Sequence, residues 1–224
     1  YVDHVKGSFV YDKENTDVIF NALHGEDGED GIAQSYFEYL NIPYTHSGVI
    51  TSHNAMNKII SKEIFLKNNI LTPKFLVLQK SLFNISETKR LLVKKKINFP
   101  IVVKPINEGS SLGVKICKNI LDLNRSTKVL FKKYDQLILE QYIGGQEIQA
   151  AVINRNPLGA IELIPKRLFY DYKAKYTKAA KTKHIMPANL NKNKYNEVLD
   201  IAKQAHKALG CKGVSRSDFK FFNS

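Results

Sequence analysis

Residues 102–114 are "VVKPINEGSSLGV", in which a Lys-Pro pair leads into a loop of Asn, Glu, Gly and Ser. Apolar and β-branched residues on both sides of this loop predict two strands. Glycines let backbone amides approach an anion, Ser110 and Ser111 add hydroxyl donors, and Lys104 adds a positive charge. The pattern predicts a phosphate-binding loop, although a hairpin tip without a ligand fits about equally well. A P-loop is excluded, because no G-K-[ST] follows and the next predicted element is a strand.

The composition of the whole chain predicts a globular protein with a real core. The 224 residues are 43% hydrophobic, which favours one or two domains. Lys and Arg number 34 against 21 Asp and Glu, a formal charge of +13. This excess leaves two interpretations open, a polyanion-binding face or a biased base composition of the genome.

Other features of the sequence favour a cytoplasmic protein. No apolar run approaches the roughly 18 residues of a membrane span, and we expect no signal peptide. The two cysteines, Cys117 and Cys211, lie far apart without a C-x-x-C motif and are expected to be reduced. Because Tyr1 is not an initiator Met and "GVSRSDFKFFNS" resembles half of a hairpin, we expect a segment of a longer protein, truncated at both ends.

Hydrophobic periodicity predicts alternating strands and helices. The expected strands are 17–25, 72–79, 99–105, 112–117, 136–143, 146–154 and 159–165, the last three forming one antiparallel sheet with a turn at 156–159. The expected helices are 28–41, 52–69, 86–96, 120–134 and 194–210, with Ser52 and Ser86 as N-caps, Glu29 and Asp30 in the first turn of 28–41, and Gly210 after the last helix. Residues 169–188 have no clean period, which is typical of a functional segment.

Two polar motifs accompany the loop. In "HGEDGEDG", residues 24–31, His24, Glu29 and Asp30 fall between a predicted strand and a helix start, where α/β folds bind ligands. A helix cap with acidic neighbours is an equal alternative.

In "ILEQYIGGQE", residues 138–147, Glu140 and Glu147 fall at strand ends beside a Gly-Gly turn. They could accept hydrogen bonds from ribose hydroxyls or an adenine amine, although a solvated hairpin is favoured when this motif is taken alone.

A third motif, "GVSRSDFKF" at residues 213–221, alternates between polar and apolar residues. A period of two places Arg216, Asp218 and Lys220 on one face of a strand and Phe219 and Phe221 on the other. Arg and Asp directed into one cleft indicate an anion site beside a metal site. A salt bridge on the surface of the sheet explains the same pattern.

Together these motifs, in this order, closely resemble the D-alanine–D-alanine ligases of the ATP-grasp superfamily. The matching stretches are "HGEDGEDG", "IPYTHSG", "MNK", "FPIVVKPINEGSSLGV", "ILEQYIGGQE", "FYDYKAKYT", "HIMPA" and "GCKGVSRSDF". The resemblance implies an α/β protein with the ATP-grasp fold in three parts. These are an N-terminal parallel α/β domain at 1–46, a central α+β domain at 47–139 and a C-terminal antiparallel-sheet domain at 140–224.

The resemblance also implies a nucleotide site. Lys58 and Lys104 resemble the lysines that hold the α and β phosphates of ATP. Ser110 and Ser111 match the lid loop over the γ-phosphate, and Lys175 matches a lysine that reaches the transferred phosphate. A further pair of residues matches the adenine-side acceptor and the ribose-binding acid, namely Glu140 and Glu147.

For the reacting centre, the resemblance implies that His24 and Glu29 lie near the first D-alanine. Glu29, Ser110 and Tyr176 correspond to a hydrogen-bonded set that closes a Tyr-Lys lid. The residues matched to the oxyanion stabiliser and to the Mg²⁺ (or Mn²⁺) carboxylate are Arg216 and Asp218. The implied reaction is phosphorylation of one D-alanine carboxylate by ATP, followed by attack of the amine of a second D-alanine. The implied protein is a bacterial cytoplasmic homodimer that engages neither nucleic acid nor membrane.

Three departures from the family pattern accompany this resemblance. The family's first strand, with a Glu that holds the substrate amine, would precede Tyr1, and its E-x-N metal pair would follow Ser224. His46 also stands where the family usually has Gly in "YTGSG". The alternatives are another ATP-grasp carboxylate–amine ligase, a non-catalytic relative, and a basic nucleic-acid-binding module, which the lack of aromatic interleaving disfavours.

Overall fold

The computed structural model describes residues 3–5, 8–10, 16–109, 111–164 and 182–222, and within them the strands form three sheets. The strands are β1 Asp3–Val5, β2 Ser8–Val10, β3 Phe75–Gln79, β4 Ile101–Pro105, β5 Lys115–Cys117, β6 Gln136–Gln141, β7 Gln146–Ile153, β8 Asn156–Ile164, β9 Lys183–Ile185 and β10 Val214–Phe221. The helices are α1 Ile32–Tyr39, α2 Val49–Met56, α3 Lys58–Lys67, α4 Ile85–Lys94, α5 Ile120–Leu130 and α6 Lys192–Leu209, with a 3₁₀ turn at Lys80–Leu82. In this part of the chain, no helix has the length and apolarity to cross a membrane.

The central sheet has the order β3-β6-β4-β5, with all three pairs antiparallel. Alternate residues of its strands point to one face, where Ile101, Val103 and Leu139 are fully buried with Leu92 of α4 and Leu123 of α5. The opposite face therefore carries the intervening residues of β4 and β6, three of which are polar, namely Lys104, Gln136 and Glu140. The tight core on the first face fixes where those polar side chains stand on the second.

The second large sheet has the order β10-β7-β8-β9 and is also antiparallel. Ile148, Ala150 and Val152 of β7 pack against α6 through Val198 and Ala202, and all five side chains are buried. Because side chains alternate, the other face of β7 and β10 is left for polar residues. The predictions of a helix over 194–210 ending at Gly210, and of alternation along β10, are confirmed.

The prediction that residues 136–143 share a sheet with 146–154 and 159–165 is wrong. β6 lies between β3 and β4 in the central sheet, and the chain changes sheets through residues 142–145. Gly145 has φ 85°, and a β-carbon there would collide with the carbonyl of Phe221.

The predicted turn at 156–159 is also wrong. Asn154 and Arg155 make the turn, with φ values of 47° and 70°, and residues 156–159 belong to β8.

The predicted helix over 52–69 is two helices that are divided at Asn57. Asn57 has extended backbone, and its side chain accepts hydrogen bonds from the amides of Ile59 and Ile60, which caps α3. Ser52 is therefore not an N-cap but a buried residue inside α2, and its hydroxyl donates a hydrogen bond to the carbonyl of Ser47. The predicted cap at Ser86 is displaced in the same way, because Asn84 caps α4.

The N-terminal part also departs from the predicted elements. Residues 17–25 form no strand, and Ile19 makes one parallel bridge, to Tyr44. Helix α1 begins at Ile32 after Gly31, so Glu29 and Asp30 precede the helix instead of lying in its first turn. A parallel strand forms only where another strand pairs with it along its length. Within residues 16–109, residues 17–25 make a single bridge of this kind, so no strand forms.

Candidate active site

Three lysines and one glutamate meet on the second face of the central sheet. Lys58 and Lys62 are four residues apart on α3, so both point in the same direction. Lys104 on β4 and Glu140 on β6 come from neighbouring strands, in which Lys104 is opposite Ile138 and Val102 is opposite Glu140. The helix therefore brings two ammonium groups over a sheet face that carries a third and a carboxylate.

Glu140 is the centre of this cluster. Its Oε2 lies 2.7 Å from Nζ of Lys104 and its Oε1 lies 3.0 Å from Nζ of Lys62. The side chains of Glu140 and Lys62 are each 8% exposed, so the pair is enclosed. Burial alone would raise the pKa of Glu140, but the two neighbouring ammonium groups outweigh it and leave that pKa below the usual value. Glu140 is therefore ionised at neutral pH.

Lys58 fastens the start of α3 to the segment that leads into the Gly-Ser loop. Its Nζ donates to the carbonyls of Glu108 at 2.6 Å and Ile106 at 3.2 Å, and its backbone amide donates to Ile106 at 3.0 Å. Burial lowers the pKa of Lys58 to about 8, assisted by repulsion from Lys104 and opposed by Glu140 and Glu108. A lysine in this state gains strongly from an added anion.

The loop itself is held at both ends. The Glu108 carboxylate accepts hydrogen bonds from the Tyr134 hydroxyl at 2.7 Å and from Nζ of Lys133 at 3.1 Å. Gly113 lies at φ 71°, and a β-carbon there would come within 2.8 Å of the Pro105 ring. Ser111 also has a positive φ, of 62°. The loop is thus fixed by its flanks, while Ser110 lies outside the described residues.

The acidic segment 24–31 comes close to this loop. A β-carbon on Gly109 would lie 3.8 Å from the Cα of Gly25. The Glu29 carboxylate accepts the Gly25 amide at 2.5 Å, which closes the turn, and the His24 side chain is exposed. The structure therefore brings the segment that carries His24 and Glu29 close to the Gly-Ser loop, with Glu29 engaged within its own turn.

Asp30 has a different position from the one predicted for the first turn of a helix. Its two carboxylate oxygens accept the amides of Asp27 at 3.0 Å and Ile32 at 3.1 Å, which fixes the entry to α1. The residue also borders a shallow pocket beside the loop, lined by Asp30, Ile32, His53, Met56 and Asn107.

The polar face of β7 and β10 holds the remaining predicted site residues. Glu147 is opposite Lys220, and the two side chains form an ion pair. The Arg216 guanidinium donates to both oxygens of Asp218, at 2.9 and 3.3 Å. Across residues 16–109, 111–164 and 182–222, no three His, Cys, Asp or Glu side chains gather as a metal site. Within these ranges, the nearest charged partner of Asp218 that the structure shows is Arg216.

The structure thus brings Lys58, Lys104 and Glu140 into one cluster and places Glu147 just beyond the link that follows β6. Lys175 and Tyr176 lie outside the described residues, as does Ser110. Sequence reasoning missed Lys62, which shares a helix face with Lys58, and also missed the Glu108–Tyr134 contact. The four-residue spacing of two lysines was the available signal for Lys62.

Comparison with known proteins gives consistent matches over most of the chain. The family models described as D-ala D-ala ligase N-terminus and C-terminus match residues 3–47 and 64–224. The curated D-alanine–D-alanine ligase of Pelagibacter ubique is 56% identical over 211 residues, covering 92% of this chain and 67% of that protein. The corresponding ligase of Wolbachia pipientis wMel is 45% identical, covering 93% of this chain and 64% of that protein. The chain spans about two thirds of the length of these relatives.

Solved structures agree with the sequence matches. A crystal structure of D-alanine–D-alanine ligase from Bacillus anthracis matches with a TM-score of 0.79 and 33% identity, covering 94% of this chain and 67% of that one. A crystal structure of D-alanine–D-alanine ligase from Bacillus anthracis complexed with ATP gives a TM-score of 0.77 and 29% identity, covering 94% of this chain and 65% of that one. The VanG D-Ala:D-Ser ligase of Enterococcus faecalis gives 0.77 and 28%, covering 90% and 59%. The fold is that of the ATP-grasp enzymes, and the chain belongs to the D-alanine–D-alanine ligase family.

Proposed function

We propose that the full-length protein joins two D-alanines into D-alanyl-D-alanine at the expense of ATP, for peptidoglycan synthesis. The observation that carries this proposal is the cluster of buried Lys62 and Glu140 with half-buried Lys58 and Lys104 beside the Gly-Ser loop. Three ammonium groups and one carboxylate have a formal net charge of +2. Such a cluster favours a polyanion such as a nucleotide triphosphate.

At the nucleotide end, Lys58 and Lys104 bind the α and β phosphates in this proposal, and the serines at 110 and 111 cover the γ-phosphate. Glu140 and Glu147 accept hydrogen bonds from the adenine amine and the ribose. Both glutamates lie at the ends of strands on either side of the link 142–145, which supports their serving one ligand.

These assignments require an exchange of partners. Lys104 is bound to Glu140, and Glu147 is bound to Lys220. An arriving nucleotide therefore replaces ion pairs within the protein with pairs between protein and phosphate or ribose. The exchange takes place when the nucleotide binds, so the charges are already in place when the reaction begins, which is what electrostatic catalysis requires.

At the reacting end, the first D-alanine carboxylate attacks the γ-phosphorus of ATP, and ADP leaves with the electron pair. The amine of the second D-alanine then attacks the acyl phosphate, and Arg216 stabilises the oxyanion before phosphate departs. His24 and Glu29 position the first substrate. In this proposal Ser110, Lys175 and Tyr176 form the lid that excludes water from the acyl phosphate.

Asp218 is the residue that would hold Mg²⁺ or Mn²⁺. It is a half-exposed carboxylate on the polar face of β10, and one carboxylate with phosphates is a common way to bind Mg²⁺. When bound, the metal would neutralise charge on the transferred phosphate. We also propose that the protein is cytoplasmic and that it forms a homodimer. Light scattering of the purified protein would test the homodimer.

The test of function is an assay of the full-length protein with ATP and Mg²⁺. We expect phosphate release that depends on D-alanine and a dipeptide product by mass spectrometry. D-Serine and D-lactate are offered in competition as second substrates, because one structural relative is a D-Ala:D-Ser ligase. Tyr176 is a neutral phenol that would not repel the ammonium group of D-alanine. D-Alanine should therefore enter as the second substrate in preference to D-lactate, and little ester is expected. ATP turnover without any D-alanyl product, or ligation only of other carboxylates, would contradict the proposal.

A further inference from the structure

Lys62 is a buried cation of this cluster to which the proposed reaction assigns no contact with a ligand. Lysine is seldom buried unless it is paired, yet Lys62 is only 7% exposed. Its ammonium group donates hydrogen bonds to the Thr72 hydroxyl at 2.6 Å and the Pro73 carbonyl at 3.2 Å, and it forms an ion pair with Glu140 at 3.0 Å. The three polar atoms that surround the ammonium group therefore all belong to the protein.

Lys104 is in a different position, although it shares the same carboxylate. Its side chain is 21% exposed, compared with 8% for Lys62, and it stands at the end of β4 beside the Gly-Ser loop. Lys104 is thus the outer of two cations on Glu140. An incoming phosphate that attracts Lys104 would weaken its pairing with Glu140.

A buried carboxylate that loses its counter-charge is strongly destabilised. We propose that Lys62 is a positioning residue that stays on Glu140 as its permanent counter-ion, so that Lys104 is released to the nucleotide phosphates at little cost. This inference rests on the proposed nucleotide site. It assigns different tasks to two lysines on one carboxylate, with Lys62 holding Glu140 ionised and in place and Lys104 changing partners.

The fixed surroundings of Lys62 support this division. Thr72 and Pro73 precede β3, whose residue Phe75 is opposite Glu140 in the sheet register. The Lys62 ammonium also lies 5.2 Å from the centroid of the Phe75 ring. Helix, strand and carboxylate thus hold the ammonium from three sides, and this arrangement does not depend on the Gly-Ser loop.

The test measures binding of ADP and of inorganic pyrophosphate to the full-length protein by calorimetry. Lys62→Met removes the charge and keeps the length of the side chain. We expect both dissociation constants to rise by about tenfold or more, because Glu140 then retains Lys104. Pyrophosphate has no adenine, so a parallel loss for both probes separates the phosphate effect from any change at the adenine acceptor.

The decisive comparison is made with Glu140→Gln. In that background Lys104 has no carboxylate to hold it, so adding Lys62→Met should change either dissociation constant by less than about twofold. The double variant buries no unpaired charge and remains measurable even where Lys62→Met alone folds poorly. Lys67→Met, at the exposed end of the same helix, is the matched control and should leave binding unchanged.

Two results would overturn the inference. One is a lower melting temperature for Lys62→Met with unchanged dissociation constants for both probes, which is the signature of a purely structural ion pair. The other is an equal loss of affinity from Lys62→Met with and without Glu140. Failure of the unmodified protein to bind either probe would instead refute the proposed nucleotide site.

Discussion

The Arg216 guanidinium and the Asp218 carboxylate lie two residues apart on the same face of β10 and are joined by hydrogen bonds of 2.9 and 3.3 Å. The proposed oxyanion stabiliser and the proposed metal carboxylate therefore hold each other. Their side chains are 60% and 43% exposed, so this pair contributes at most about 1 kcal/mol to stability. The pair therefore adds little to folding, and the roles that we propose for it lie in the reaction.

Arg216→Ala should separate these two effects. We expect kcat to fall by roughly 10²–10³, the scale for loss of one preorganised donor to a developing oxyanion. The melting temperature and the ADP dissociation constant should change little. Arg90→Ala is a suitable control, because Arg90 makes a comparable exposed pair with Glu87 on α4, and it should leave kcat unchanged. Equal kcat for Arg216→Ala and the unmodified protein would refute the role of Arg216.

Lys104→Ala should impair both turnover and stability. Turnover should fall by roughly 10²–10³ because a charge on the phosphates is lost. Unlike a surface lysine, Lys104 also supports the buried Glu140, so the free energy of unfolding should drop by about 1–3 kcal/mol, less than for a carboxylate left with no partner. Urea unfolding measures the second effect, and unchanged kinetics would contradict the phosphate role.

Nucleotide affinity should depend on pH through Lys58. With its pKa lowered to about 8, the free protein loses this charge as the pH rises through 8. A bound phosphate favours the charged form, so the ADP dissociation constant should rise above pH 8, by up to about tenfold per unit. Binding near pH 8.5 should take up a proton, which calorimetry in two buffers of different ionisation enthalpy detects.

Lys58→Arg is the control for this pH dependence, because arginine stays charged throughout the range. The variant should bind ADP with an affinity that is nearly flat between pH 7.5 and 9.5. A slope that persists in Lys58→Arg would assign the titration to another group.

His46→Gly should stabilise the protein. His46 has φ 76°, a left-handed conformation that gives a physical reason for a glycine at this position in relatives. We expect a gain of about 0.5–1 kcal/mol, the left-handed penalty less the additional entropy that glycine loses on folding. The edge-on contact of His46 with Phe20, 5.9 Å between centroids, subtracts little because Phe20 is 74% exposed.

Arg155→Gly is the matched variant, since Arg155 has φ 70° in the β7–β8 turn. A similar gain at both positions, measured by thermal unfolding, would identify the backbone as the cause. A loss for His46→Gly beside a gain for Arg155→Gly would show that the ring contact outweighs the backbone strain.

Local signals in the sequence were sufficient for part of the fold. The helix α6, with its apolar face and terminal glycine, and the alternation of β10 were predicted because each is decided by neighbouring residues. The division of residues 52–69 was not predicted, since apolar periodicity continues across Asn57 and a cap breaks the helix without breaking the pattern. The sheet that β6 joins was also missed, because a buried strand is equally apolar in either sheet.

The candidate site shows the same limit. Lys104 and the Gly-Ser loop could be predicted as part of a candidate site because they are adjacent in sequence. Lys62 was not, because its role comes from Glu140 on a distant strand and from Thr72 at the start of the next segment. Glu29 was predicted to open a helix, but its carboxylate closes the turn at Gly25, a contact that depends on the glycine conformation.

The collision that any side chain at position 145 would suffer with the Phe221 carbonyl has a consequence for variation in this protein. Residues 142–145 link the two large sheets, and Gly145 packs directly against Phe221 of β10. This contact restricts both the length of the link and the path that it follows. An insertion between 142 and 145 would shift β7 relative to β10 and disturb a whole ladder of pairs. Adaptation to a bulkier ligand would therefore have to come from the outer loops, whereas this short crossing should tolerate almost no change in a mutational scan.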